Sequence, residues 1–73
     1  MKLSKLLSKT RGKIAKVLGN SDIQIKLISI GICVDDEIIM VQNDFKGSVI
    51  IAKNENRIVL GRDVADIIDV EII

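Results

Sequence analysis

The chain has 73 residues and a formal net charge of +1; 48% of the residues are hydrophobic and only Phe45 is aromatic. There is one Cys, and there is no His, Trp, Tyr or Pro. A chain this short forms one small domain, which we expect to span residues 1–73, and its apolar content excludes disorder. Without His, and with one Cys, neither a zinc knuckle nor a common catalytic triad can be assembled inside one chain, so the composition indicates a non-enzymatic binding or regulatory module.

No apolar run approaches the roughly 18 residues that a membrane-spanning helix needs, and the lysine-rich start is not followed by a signal-peptide segment. We therefore expect a cytoplasmic protein. The lone Cys33 cannot form an internal disulfide, which agrees with a reducing compartment. Its neighbours Ile32 and Val34 favour a core thiol over a reactive one.

Charge is unevenly distributed along the sequence. Residues 1–21 hold six cations and no acid, whereas the remainder holds five cations and ten acids, so that +6 and −5 give the net +1. Such a basic segment can attract nucleic acid, an anionic membrane leaflet or an acidic protein. A single Phe cannot supply stacking platforms for single-stranded nucleic acid, so we expect no nucleic-acid partner and interpret the charge mainly as a source of solubility.

The amino-terminal part of the chain predicts a turn and a strand. Apolar residues between lysines over residues 12–18 predict the first strand, which the Gly19-Asn20 pair ends. Before it, leucines at i, i+3 and i+4 share one side of a short helical or 3₁₀ turn. These leucines are Leu3, Leu6 and Leu7.

The isoleucine spacing over residues 22–30 suits either a strand or a helix, and the end signals decide for a helix. Ser21 and Gln24 have the spacing of a capping box, and Asp22 would lie near the positive end of the helix dipole. Gly31 is placed to close the last turn.

The rest of the chain predicts strands. Residues 37–42, 48–53 and 57–60 are strand-like runs separated by short turn-like connectors, which predicts an antiparallel meander. After Gly61, Asp63 can cap a brief helical turn, and residues 69–73 form a last strand. Five short antiparallel strands with one α-helix and a short helical turn predict a mainly β fold, a small and strongly bent barrel.

The middle strands are apolar on both faces. Residues 38–41 and 49–52 are unbroken apolar runs, although a barrel wall needs only every second side chain inside. The helix can cover part of the second face, and the rest would mark a surface for a partner or for another copy of the chain.

Metal and nucleotide sites have little support. The acidic run 35–37 has no glycine-spaced calcium-loop pattern around it, and we interpret it as a solvated turn before a strand. Gly31, Gly47 and Gly61 lack phosphate-loop spacing, and we interpret them as the residues of a helix end, a hairpin and a strand break. We therefore predict no metal ligands and no cofactor.

The order of several segments carries a family resemblance over almost the whole chain. The segments are residues 11–17, the helix end with its apolar-Gly-apolar triplet over 26–32, the strand 38–41, the hairpin 45–49, and 58–60 with Ala65, Ile68 and Val70. In this order they resemble the FeoA family of small cytoplasmic ferrous iron transport proteins. The family usually has Gly where Asp36 stands and Arg where Gly61 stands, so Arg62 is displaced by one position.

The resemblance implies a barrel similar to the Src-homology-3 (SH3) fold, no enzymatic activity, and an accessory role toward FeoB, the membrane ferrous iron transporter with a cytoplasmic GTP-binding domain. From the apolar pattern we expect docking through exposed members of the middle strands, with basic residues steering the encounter or fixing its orientation. The apolar candidates are Ile39, Val41, Ile50 and Val59, and the basic ones are Lys13, Lys16 and Arg62.

Other functions stay open at this point. A small barrel with a basic amino-terminal segment could be an RNA- or ribosome-binding protein. The same barrel also resembles the carboxy-terminal domain of iron-dependent DtxR-type repressors, although this chain has no helix-turn-helix domain with which to read DNA. A homo-oligomer stays open as well, because it would bury the same apolar strands.

Overall fold

A computed structural model describes all 73 residues. Five strands form one antiparallel sheet in the order β4-β3-β2-β1-β5, where β1 is Arg11–Val17, β2 Glu37–Gln42, β3 Val49–Lys53, β4 Asn56–Leu60 and β5 Ile68–Ile72. Helix α1 (Ser21–Ser29) joins β1 to β2, helix α2 (Arg62–Ala65) joins β4 to β5, and a 3₁₀ turn (Leu3–Lys5) precedes β1. The predicted strands and α-helix are confirmed to within one residue at each end.

The sheet has an inner face that forms the core and an outer face that meets solvent. Along β2, Ile38 and Met40 are buried while Ile39 and Val41 between and after them are not, as expected from the two-residue period of a strand. The core cluster contains Leu3, Leu6, Ile14, Leu27, Ile32, Ile38, Met40, Val49, Ile51, Leu60, Ala65, Ile68 and Val70. Leu27 of α1 packs into this inner cluster. The expectation that the helix covers part of the outer apolar face is therefore wrong, because the helix packs against the core.

The strand pairing is irregular at two places, one in β2 and one in β1. Between β2 and β3 the register shifts so that Val41 and Gln42 together oppose Ile50. Between β1 and β5 it shifts between Ile14 and Lys16. A β-bulge of this kind adds one residue to one strand and bends the sheet, which helps a small sheet to wrap around its core.

Helix α1 begins with a different cap from the predicted one. The Asn20 side chain accepts a hydrogen bond from the backbone N–H of Ile23 at 3.0 Å, so the capping box at Ser21 is wrong by one residue. The Gln24 amide donates instead to the carbonyl of Gly19 at 3.2 Å. The helix ends as predicted, because Gly31 has a φ of +97°, in the left-handed region that glycine adopts without strain.

Two other local predictions also need correction. Asp63 does not cap α2, because Gly61 is the residue before the helix and no side chain caps the N–H groups of the first turn. Leu7 does not share the buried face of Leu3 and Leu6, and 64% of its surface is exposed. The backbone is already extended at Leu6, directly after the 3₁₀ turn, so Leu7 points away from the core.

A buried polar node joins the connecting segments of the fold. Asn43 is only 7% exposed, and its amide nitrogen donates to the carbonyls of Ser4 and Leu6 at 2.9 and 2.8 Å. Its amide oxygen accepts from the backbone N–H of Phe45 at 3.0 Å and from the guanidinium of Arg62 at 2.6 Å. All the polar capacity of this buried amide is therefore used, which avoids the cost of an unpaired buried polar group.

Arg62 and Ser4 extend this node into α2. The Arg62 guanidinium also donates to the carbonyls of Gly47 at 3.0 Å and Ser4 at 3.1 Å. The Ser4 hydroxyl, itself buried, donates to the carboxylate of Asp66. The 3₁₀ turn, the β2–β3 loop and α2 are thus fastened to one another by side chains and not by the strand ladder.

The node predicts an unequal cost for two asparagine substitutions. Asn43→Ala leaves the buried carbonyl of Leu6 without a donor, takes one of two donors from the carbonyl of Ser4, and removes an acceptor of the Arg62 guanidinium. We expect a loss of about 3 kcal/mol in the free energy of unfolding. Asn20→Ala removes one exposed helix cap and should cost about 1 kcal/mol. Urea unfolding followed by circular dichroism measures both, and equal losses would contradict the role given to Asn43.

Candidate interaction surface

The outer face of β2, β3 and β4 brings together the four apolar residues singled out in the sequence. Ile50 lies directly opposite Val59 across the β3–β4 pair, and Ile39 lies opposite Ala52 across β2–β3. Val59 is 66% exposed, and its neighbours are partly exposed. We call this set the apolar sheet face: Ile39, Val41, Ile50, Ala52 and Val59.

The other half of the same outer face is charged. Lys13 lies opposite Glu37 of β2 and Glu71 of β5, and Lys16 lies opposite Asp69. Because the bulge in β1 inserts one residue between them, Lys13 and Lys16 point to the same side, whereas a regular strand would separate them. The β1 residue directly opposite the apolar sheet face is Arg11, which faces Ile39; Lys13 lies two residues further along β1, and Lys16 lies beyond it at the groove beside α1.

Two of the six cations of the basic amino-terminal segment are paired with acidic residues from elsewhere in the chain. Arg11 lies 3.4 Å from a Glu37 oxygen, and the Lys13 ammonium lies 3.6 Å from Asp35. The α-amino group of Met1 lies 2.9 Å from Asp69, and its hydrogen bond lowers the pKa of that carboxyl. The charge imbalance along the sequence is thus partly offset in space, because β1 lies between β2 and β5. Lys2, Lys5, Lys9 and Lys16 have no acidic partner within 4.0 Å.

Arg62 does not lie on this face. Two of its three hydrogen bonds go to the β2–β3 loop and the third to Ser4 in the 3₁₀ turn. Its guanidinium stands 6.0 Å from the centre of the Phe45 ring, a cation–π geometry within the chain. Arg62 is therefore engaged within the chain, where it positions the β2–β3 loop.

Sequence reasoning missed a second apolar surface on α1. Ile25 and Ile28 are 61% and 60% exposed, and Ile30 beyond the helix is 50% exposed. A nine-residue helix can bury only one stripe, which Leu27 and the half-buried Ile23 occupy. The surplus of isoleucine over residues 22–30 was the available signal, since more apolar side chains were present than one stripe could hold.

Two grooves border α1. One, of about 430 Å³, lies between the helix and β1 and includes Lys16, Ile28 and Cys33 in its lining. Cys33 lies in the wall of this groove and is half-buried, so the prediction of a core thiol is wrong. The other groove, of about 420 Å³, lies between the end of the helix and β4, with Ile30 and Val59 in its walls.

The acidic run 35–37 forms a turn that leads into β2, as predicted, but its middle residue has a structural role. A carboxylate oxygen of Asp36 accepts from the Lys53 ammonium at 2.7 Å and from the backbone N–H of Cys33 at 2.8 Å. Lys53 also donates to the carbonyl of Gly31 at 2.5 Å, so the pair fastens the α1–β2 connection to β3. No group of three or more His, Cys, Asp or Glu side chains lies together in a metal-binding arrangement.

The Asp36–Lys53 pair predicts a pH dependence of stability. Burial raises the pKa of Asp36, but the hydrogen bonds from Lys53 and Cys33 and the charge of Lys53 outweigh it, so the pKa lies below the ordinary 3.8. A lowered folded-state pKa means that the stabilisation is complete well above pH 3.8 and is lost as the pH falls below it. Asp36→Asn should therefore flatten the acid limb of the unfolding free energy measured between neutral pH and about pH 2. An unchanged acid limb would contradict this.

No helix of the chain is both long and apolar enough to cross a bilayer. The FeoA domain family matches residues 1–72. No curated protein matches the chain.

Solved structures share the whole fold. An iron uptake regulatory protein (FeoA) matches with a TM-score of 0.93 and 23% identity over 100% of this chain and 97% of that one. Iron(II) transport protein A from Clostridium thermocellum matches with a TM-score of 0.91 and 27% identity, over 100% of this chain but only 46% of its own. A manganese-dependent transcriptional repressor in complex with manganese matches at 0.89 and 21% identity, with 36% of its chain covered. These likenesses confirm the mainly β, SH3-like fold expected from the sequence.

Proposed function

The chain belongs to the FeoA family and thus to ferrous iron transport, and we propose that it is a non-enzymatic accessory protein that docks on the cytoplasmic GTP-binding part of an FeoB-type transporter. The observation that supports docking is the apolar sheet face, which is contiguous across three strands. Apolar surface of this kind in a small monomer is typical of a protein–protein contact.

The arrangement of the outer face suits a specific contact. The apolar sheet face would provide the desolvated centre, with Val59 as its most exposed member. Lys13 and Lys16 would lie at the rim beside their acidic neighbours, where charges set orientation and the rate of encounter more than affinity. Arg62 would contribute by holding the β2–β3 loop at the end of the same strands.

The structure weakens the reason for an RNA-binding role. That role depended on a free basic segment, and Arg11, Lys13 and the Met1 amino group each have an acidic partner within 4.0 Å. Since counterion release needs cations that are free to meet phosphates, the segment offers fewer of them than its sequence suggests.

The docking proposal is tested with Ile50→Asp and Val59→Asp. A buried carboxylate in an apolar contact is costly, so each substitution should weaken binding to the purified GTP-binding domain of the transporter from the same source by about tenfold or more. Isothermal titration calorimetry measures the affinity, and circular dichroism checks that each variant is folded.

A matched control is Ile72→Asp. Ile72 is 61% exposed, close to the 66% of Val59, but it lies on β5, at the opposite edge of the sheet and in the inward register with Gly12. It should leave the affinity unchanged. Full binding by folded Val59→Asp and Ile50→Asp would remove the apolar sheet face from the proposal.

A further inference from the structure

The two edge strands of the sheet differ in whether their outward backbone groups are hydrogen-bonded. At the β5 edge the chain's own first residue adds a short antiparallel stretch: Val70 donates to the carbonyl of Met1 at 2.7 Å, and the Met1 amino group donates to the carbonyl of Val70 at 2.9 Å. Lys2 forms an isolated bridge with Asp69 beside it. At the other edge, β4 pairs only with β3 and nothing lies in register on its far side.

The hairpin geometry identifies the free groups on β4. A two-residue turn follows Lys53, which pairs with Asn56, and from there the register runs without a bulge to Leu60. In an antiparallel pair, residues alternate between pointing their N–H and C=O at the partner and away from it, and the pair closing a two-residue turn points inward. The N–H and C=O of Arg57 and Val59 therefore point away from β3, and none of them has a hydrogen-bond partner in the structure.

The free edge of β4 is one wall of the groove that α1 borders. Val59 and Leu60 lie on the strand side, Lys26 and Ile30 on the helix side, and Val64 lies further along. The groove has a volume of about 420 Å³ and its walls are mainly apolar. A strand edge that faces a helix across an apolar groove is the setting in which extended peptides add to a sheet.

We propose that an extended acidic segment of the partner adds to β4 as a further antiparallel or parallel strand, in the groove between β4 and α1. The inference rests on the proposed function, since the segment would belong to the cytoplasmic part of the transporter. The free N–H and C=O groups of Arg57 and Val59 would pair with its backbone. Its alternate apolar side chains would enter the groove against Ile30 and Val64.

Charge determines the chemistry of the segment. Lys26 on the helix wall and Arg57, two residues before Val59 on β4, have no acidic partner within 4.0 Å, in contrast to Arg11 and Lys13 of β1. The carboxylate of Asp63 lies beside Gly61 at the α2 end. Acidic residues of the segment should therefore lie at the Arg57 end. A second copy of the chain fits less well, because pairing two β4 edges would bring four unpaired cations together.

Amide hydrogen exchange tests the pairing directly. In the free protein the edge amide of Val59 should exchange quickly, whereas the Ile58 amide, which faces β3, should be protected. On saturation with the GTP-binding domain, strand addition should slow exchange of the Arg57 and Val59 amides by about tenfold or more. Their exchange is measured residue by residue by nuclear magnetic resonance.

A matched pair of variants isolates the backbone donor. Arg57→Ala and Arg57→Pro both remove the charge, but only proline also removes the outward N–H, and an edge strand tolerates it there. We expect Arg57→Ala to weaken binding modestly and in a salt-dependent way, and Arg57→Pro to weaken it by about a further tenfold. Circular dichroism verifies the fold, and the exchange experiment on the unaltered chain does not depend on either variant.

The outcomes separate the two proposals. Slowed exchange at Val59, with Arg57→Pro weaker than Arg57→Ala, supports strand addition. A complex that forms and is lost with Ile50→Asp, but that leaves exchange at Val59 unchanged, overturns strand addition and retains docking. Absence of any complex overturns both. Protection of Val59 that grows with protein concentration and without a partner would assign the edge to a second copy and overturn the acidic segment.

Discussion

The buried amide of Asn43 is the contact on which the connections of this fold depend. The strand ladder holds the five strands to one another, whereas the 3₁₀ turn, the β2–β3 loop and α2 are joined by side-chain hydrogen bonds, and Asn43 takes part in more of these than any other residue except Arg62. Once Asn43 is buried, each of its donors and acceptors must be satisfied, and the carbonyls of Ser4 and Leu6 and the guanidinium of Arg62 satisfy them. That requirement fixes where Arg62 points and therefore which residues are left to face a partner.

The position of β1 between β2 and β5 determines which charged residues lie side by side on the outer face. The sequence separates its cations from its acids, but antiparallel pairing places Lys13 opposite Glu37 and Glu71, and Lys16 opposite Asp69. The outer face is therefore divided into a charged half whose signs alternate and an apolar half on β2, β3 and β4. A partner that covers this face would meet little net charge, so its specificity would depend on shape and on the apolar centre.

Short-range signals were enough to predict the strands and the helix, because apolar runs bounded by turn residues indicated the strands and the end signals, Gly31 among them, indicated the helix. They also placed Ile39, Val41, Ile50 and Val59 together, since strand phase decides the face. They could not choose between Asn20 and Ser21 as the helix cap, two equally suitable residues one position apart. The hydrogen bonds of Asn43 could not be predicted from local sequence, because its partners Ser4 and Leu6 lie 39 and 37 residues away along the chain.

The bulge at Val41 has a consequence for how this surface can change over time. Val41 is the extra residue in β2, so its deletion would leave Met40 opposite Ile51 and Gln42 opposite Ile50. Every inward side chain would keep its phase, and only the outer face would lose a methyl-bearing side chain. One residue can therefore be removed at this point without changing which side chains face the interior, so the outer face can be altered independently of the core.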